Sequence, residues 1–302
     1  GSIGLCEFDI ENQIISGAYN IFACKENELN PRYLEALFKT KKFLDYVNEK
    51  ACGGVRMDFK IGYMQEWQIP LPPLEIQNEI VGKIERQKQI VEGAEKLNAI
   101  REIDFDLFKS FDLKHIEEFA ELNPRKDIRL KEDAMISFVP MEAVDDIAGT
   151  ILNSQQRQLK EVNKGYTYFR NGDIIFAKIT PCMENGKSAV AENLINETGF
   201  GSTEFHVIRA LMDKALPKYI YYILRTKHFR ELAKEKMTGA SGHKRVPESF
   251  LREFKWPLPP LEIQRQIVEK LDRQMQALEG VRLLKSEAQK RIEEILAKVW
   301  GG

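Results

Sequence analysis

The chain has 302 residues, with 45 basic against 46 acidic side chains and a formal net charge of −1. Hydrophobic residues make up 43% and charged residues 30%, the profile of a folded chain of about two domains, which excludes intrinsic disorder and a simple polycation. No apolar run approaches the roughly 20 residues a membrane-spanning helix needs, and no basic-then-apolar leader opens the chain, so a cytoplasmic protein without a membrane partner is expected.

In chain order, a helix is expected over 31–50, opened by Pro31 and followed by Gly53-Gly54. The string PLPPLEIQ at Pro70–Gln77 ends that segment and starts a second helix, Leu74–Arg101. The same octapeptide returns at Pro257–Gln264, an offset of 187, and residues 70–93 match 257–280 at 16 of 24 positions. With a one-residue shift the similarity runs upstream: Pro31-Arg-Tyr-Leu lies against Pro217-Lys-Tyr-Ile, and Lys39–Phe43 against Arg225–Phe229. A period this long marks a duplicated module, not a solenoid. The first copy has far fewer residues ahead of its PLPP than the second, so it reads as shortened at its N-terminal side.

Residues 116–256 carry short β-prone runs at Met135–Val139, Tyr166–Phe169, Asp173–Ile179 and Phe205–Ile208, punctuated by Asn171-Gly172 and Asn185-Gly186. A helix over 217–236 follows, closed by Gly239. After the second PLPP, Ile267, Leu271, Gln274, Leu278, Val281, Lys285, Ala288, Ile292, Ile295 and Val299 recur at 4,3 spacing, a coiled-coil seam on a helix of 39 residues, roughly 58 Å. The first copy places Ile80, Ile84, Gln87, Val91 and Ala94 in the same register, which sets Gln87 against Gln274 as a polar pair fixing register. The alternative is two amphipathic helices packed on their own domains. The expected divisions are 1–69, 70–103, 104–256 and 257–302.

Catalytic motifs fail one by one. Glu184–Ser188 resembles the end of a phosphate-binding loop, but its leading glycine is Pro181. Asn30-Pro-Arg-Tyr33 is similar to an amino-methyltransferase element but has Arg32 for the second proline, and no glycine-rich cofactor loop follows a strand. Glu253-Phe-Lys255 lacks an acidic partner upstream. The four histidines show no ligand spacing, and the cysteines Cys6, Cys24, Cys52 and Cys182 form no CxxC pair. No catalytic residue, metal site or bound cofactor is expected.

Charge is more telling. Between Glu161 and Lys255 there are 16 Lys/Arg against 11 Asp/Glu. The excess gathers at turns, at Arg170, Lys178 and Lys187, and in the glycine-rich Gly239–Arg245. There Ser241, His243, Lys244 and Arg245, with Thr180 as a nearby donor, can approach phosphate oxygens, and arginine or lysine can reach guanine edges. The plainer alternative is a solvated basic face.

These residues resemble the specificity (S) subunit of Type I restriction–modification enzymes. The doubled PLPPLEIQ-plus-helix unit is similar to that family's central and C-terminal conserved regions. Thr180–Lys187, Gly201–Val207 and Thr238–Pro247 resemble segments of its target recognition domains. The resemblance implies an α+β fold: recognition domains of mixed strands and helices, with two long helices packed as an antiparallel coiled coil. By the same resemblance the protein is not itself an enzyme. It would read half of a bipartite double-stranded DNA site and dock methyltransferase subunits, and through them restriction subunits. S-adenosylmethionine, ATP and Mg are then expected only on those partners. Residues 1–69 would be the C-terminal part of a first recognition domain truncated at its N-terminus, which adds self-association to the expected partners. The competing expectation is a coiled-coil protein-interaction adaptor without DNA binding.

Overall fold

The computed structural model describes residues 27–50, 61–98, 102–240 and 242–301, with Leu5, Ile21 and 23–25 ahead of them. In chain order the helices and strands are α1 (Pro31–Phe38), α2 (Lys41–Lys50), α3 (Ile61–Glu66), α4 (Leu74–Asn98), β1 (Leu113–Lys114), β2 (Ala120–Leu122), β3 (Met135–Val139), β4 (Gln155–Gln158), α5 (Leu159–Val162), β5 (Thr167–Arg170), β6 (Ile174–Ala177), β7 (Ser188–Val190), β8 (Thr198–Gly201), β9 (Phe205–Ala210), α6 (Pro217–Arg225), α7 (Lys227–Glu235), α8 (Glu248–Glu253), β10 (Trp256–Pro257) and α9 (Leu261–Val299). They divide into two units, Gly1–Ala99 with Gly280–Gly302, and Ile100–Glu279.

The second unit is a mixed α+β domain. One sheet is antiparallel in the order β2-β9-β6-β7, and the other runs β4-β3-β8-β5 with β3 and β8 parallel. Strand β6 reads Ile-Ile-Phe-Ala because it is covered on both faces. Ile174 and Phe176 point into a core with α6, α7 and α8, whereas Ile175 and Ala177 face a second core shared with Val139 and Phe169 of the other sheet. The helix-side core centres on Phe229, whose ring lies 4.9 Å from Phe254 and 5.5 Å from both Phe250 and Trp256. Strand β8 needs its glycines: a Cβ on Gly199 would sit 2.3 Å from the Phe169 ring.

Both copies of the repeat build the same clasp. In the first, Gln77 is fully buried; its Oε1 accepts from the Asn30 N–H at 2.9 Å, and its Nε2 donates to the Glu28 and Pro72 carbonyls at 2.9 and 2.8 Å. In the second, buried Gln264 accepts from the Leu216 N–H at 2.8 Å and donates to the Lys214 and Pro259 carbonyls at 2.9 and 2.8 Å. Tyr33 and Tyr219 add the same hydroxyl bond, each 2.9 Å long, to the Pro70 and Pro257 carbonyls. The PLPP strings thus hold a long helix to the helix pair before it.

Three expectations are corrected. The single helices over 31–50 and 217–236 are each two helices. Thr40 and Thr226 break them: each buried hydroxyl donates to the carbonyl three residues back and accepts the N–H of Phe43 or Phe229. The proposed seam covers only part of α9. Ile80 and Ile84 of α4 cluster with Ile292, Ile295 and Leu296, and Glu95 pairs with Lys285 at 2.8 Å, an antiparallel arrangement. Ile267 and Leu271 lie instead with the core of the second unit, because that stretch of α9 buries its apolar stripe against that unit. Gln274 is exposed, and Gln87 lies beside Arg291, Glu294 and Ile295, so neither reads as half of a buried polar seam pair.

Candidate nucleic-acid interface

Strand β6 delivers Lys178 to one end of the second unit, and the segment after α7 returns there. Residues 244–246 run as a short ladder between 178–180 and Thr238. The Val246 N–H donates to the Lys178 carbonyl at 2.8 Å, the Thr180 N–H to the Lys244 carbonyl at 3.0 Å, and the Arg245 N–H to the Thr238 carbonyl at 2.8 Å. Gly239 and Gly242 turn the loop with φ of 124° and 82°, and a Cβ on Gly239 would meet the His243 carbonyl oxygen at 2.8 Å.

The ladder brings Lys178, Thr180, His243, Lys244 and Arg245 together. Ser241 lies outside the described residues. Lys187 is at the same end, where its carbonyl accepts from Ala177 N–H, but its ammonium donates to the Met141 carbonyl at 3.0 Å. Arg170 is elsewhere. It closes β5 next to the hairpin into β6, and the four residues of β6 separate that turn from Lys178, roughly 13 Å.

Electrostatics divide the cations further. The Arg245 fork binds Glu204 at 2.8 and 2.7 Å and holds its carboxyl below the usual range. Lys234 binds Glu184 at 2.5 Å, and the Thr180 hydroxyl donates to the same carboxylate; with Lys234 the larger cause, Glu184 is also held low. Among the described residues, Lys178 and Lys244 have no carboxylate within ion-pair distance, and His243 and Lys244 are exposed. What the arrangement offers chemically is a braced loop carrying exposed Lys244, with Lys178 beside it; the two ammonium groups also lower Glu184 and Glu204 through space without pairing with them, and the cluster is suited to holding an anion. Among the described residues no group of His, Cys, Asp or Glu could hold a metal ion, and no helix is long and apolar enough to cross a membrane.

Sequence reasoning missed the carboxylates that brace this end, and also the network behind it. Asn123, at φ 46°, accepts the Val207 N–H at 3.0 Å, donates to Glu248 at 2.7 Å and touches His206 Nδ1 at 3.3 Å. His206 in turn bonds the Val246 carbonyl at 2.8 Å, steadying the base of the ladder. No spacing motif links 123, 206 and 248, so only the fold could show them. The Asn30-Pro-Arg-Tyr string has a structural role: Asn30 caps α1 by accepting from the Arg32 and Tyr33 N–H groups at 2.8 and 3.3 Å.

Comparison with known proteins agrees with this architecture. A family model for the Type I restriction modification DNA specificity domain matches residues 109–287, and the chain belongs to that family. It is 37% identical over 187 residues to the EcoAI specificity subunit of Escherichia coli, covering 62% of this chain and 31% of that protein. Against the EcoEI specificity subunit of the same organism the figures are 35%, 62% and 30%. The chain therefore spans just under a third of the length of the curated relatives it matches. The fold is shared with a Type I restriction-modification S subunit from M. genitalium, at a TM-score of 0.51 and 15% identity, over 90% of this chain and 73% of that one.

Proposed function

We propose that the chain is a non-catalytic DNA-specificity component of a Type I restriction–modification complex. Residues 104–256 would read one half of a bipartite duplex site. Residues 70–103 and 257–302 would be the spacer helices that set its distance from a second reader and dock methyltransferase subunits, with 1–69 belonging to that second reader. S-adenosylmethionine, ATP and Mg would act on the partner subunits, with restriction subunits reached through the methyltransferase. The observation that carries the reading is the braced ladder with Lys178 and Lys244 unpaired at its edge, within the stretch matched by the specificity-domain family. Lysine ammonium groups that contact phosphates release counterions, so binding should be salt-dependent.

Fluorescence anisotropy with duplex DNA at several salt concentrations tests it. Lys244→Ala should weaken binding and reduce the salt slope by about one unit. An unchanged slope would remove Lys244 from the interface. Absence of any salt-dependent binding by the unaltered chain would favour the adaptor reading instead.

A further inference from the structure

We propose that Arg157, on the edge strand β4, reads a base and sets part of the DNA specificity. The inference rests on the DNA-binding reading above but names a different element from the basic loop.

Strand β4 is Gln155-Gln-Arg-Gln158, at the edge of its sheet and paired only with β3. It follows three exposed residues, Leu152–Ser154, and Gln155 and Gln156 are exposed too. A polar edge strand at the end of a sheet is the kind of ribbon that fits the roughly 12 Å major groove. Arg157 is set out there in a fixed pose. Its guanidinium lies 4.0 Å from the Phe138 ring centroid, and Phe138 is itself held edge-on by Tyr166 at 4.9 Å. Nη2 donates to Gln155 Oε1 at 2.9 Å. Stacking and one hydrogen bond orient the fork while the other N–H groups remain available.

Most of the domain's other arginines are already committed; Arg125 and Arg170 are exposed and also lack an ion pair among the described residues, but neither is held over a ring as Arg157 is. Arg209 is bound to Asp173, Arg230 to Glu102, Arg245 to Glu204 and Arg252 to Glu117 and Glu248. Arg225 donates to the Asp146 and Ile147 carbonyls. Arg157 has no carboxylate partner among the described residues, so a ligand need not displace one. Its place also fits. Gln155 pairs with Phe138, three residues before Met141, whose carbonyl takes the Lys187 ammonium. That puts Gln155 roughly 10 Å of chain from Met141, and Arg157, opposite Ile136, roughly 17 Å. A pre-oriented guanidinium matches O6 and N7 of guanine, the commonest specific arginine contact. The geometry therefore assigns Arg157 a guanine, positioned by Gln155.

The test is selection of bound duplexes from a randomised pool by the full chain, compared among unaltered protein, Arg157→Lys and Gln155→Ala. Arg157→Lys keeps the charge and loses the fork. It should retain overall affinity and salt slope and lose about tenfold preference at one G·C pair. Gln155→Ala, which leaves the arginine and its stacking, should soften the same pair by a smaller factor. Unaltered base preference in both variants overturns the inference and leaves the DNA reading standing. If the unaltered chain shows no salt-dependent binding, the reading and the inference fall together. If thermal unfolding shows that Arg157→Lys does not fold, the Gln155→Ala selection decides by itself.

Discussion

His206 shows how far surroundings can set one side chain. It is 5% exposed, and the Asn123 amide and Val246 carbonyl bracket its two ring nitrogens. An amide N–H donates to Nδ1, so Nε2 carries the proton and donates to Val246: the ring is held neutral. Burial pushes its pKa below the ordinary 6.5, against the hydrogen bond to the Val246 carbonyl, which raises it; Lys178 then lowers it further, with smaller upward pulls from Glu248 and Glu204. The unfolded chain then binds more protons than the folded one below pH 6.5. The contribution to stability is complete above that value and is lost as pH falls through the depressed folded value. Melting temperature should therefore drop on going from pH 7 to pH 5, and His206→Gln should flatten that drop, as differential scanning fluorimetry can measure. The Glu204–Arg245 pair behaves differently. Its folded carboxyl is depressed, so its contribution is present above the ordinary carboxylate range and disappears only under stronger acid. Arg245 thus serves the loop first as a brace.

At the scale of elements, the repeated clasp is the principal device. A glutamine with three hydrogen bonds is buried in each copy, and truncation strands an N–H donor and two carbonyls away from water. Gln264→Ala should cost about 1–3 kcal/mol in urea unfolding of the mixed α+β unit. Gln77→Ala should cost a similar amount in the other unit and leave the transition of the mixed α+β unit in place. Equal effects of both variants on both transitions would mean the clasps do not act separately. The helix breaks belong to the same scale, since Thr40 and Thr226 repeat the same capping bonds in both copies.

Across the whole molecule, α9 serves two masters along its length. Its first turns, with Val268 and Leu271, complete the core of the mixed α+β unit, and its last turns, with Leu296, meet Ile84 of α4. Ile84 is 2% exposed and Leu296 8%, so Leu296→Ala should cost about 2–5 kcal/mol where α4 and α9 meet. Hydrogen exchange should then rise over 74–98 and 285–299 while the strands of the mixed α+β unit stay protected. Uniform loss of protection would show the two packings to be one cooperative unit.

The duplication, the helix starts at both PLPP strings, the apolar strands β3, β5, β6 and β9 and the family were legible in the residues, because these depend on local propensity, spacing and repetition. Strands β4 and β8 were not: Gln-Gln-Arg-Gln carries no apolar alternation, and Thr-Gly-Phe-Gly is β-competent only against the Phe169 ring. A heptad stripe announces that a face is buried but not what buries it, which is why Ile267 and Leu271 changed partner. Likewise a count of lysines and arginines gives charge but not neutralisation. Whether Arg245 is free or held by Glu204, and whether Arg157 is stacked and unpaired, depends on contacts between residues 41 and 19 positions apart in the chain, and only the tertiary structure brings such residues within a few ångströms.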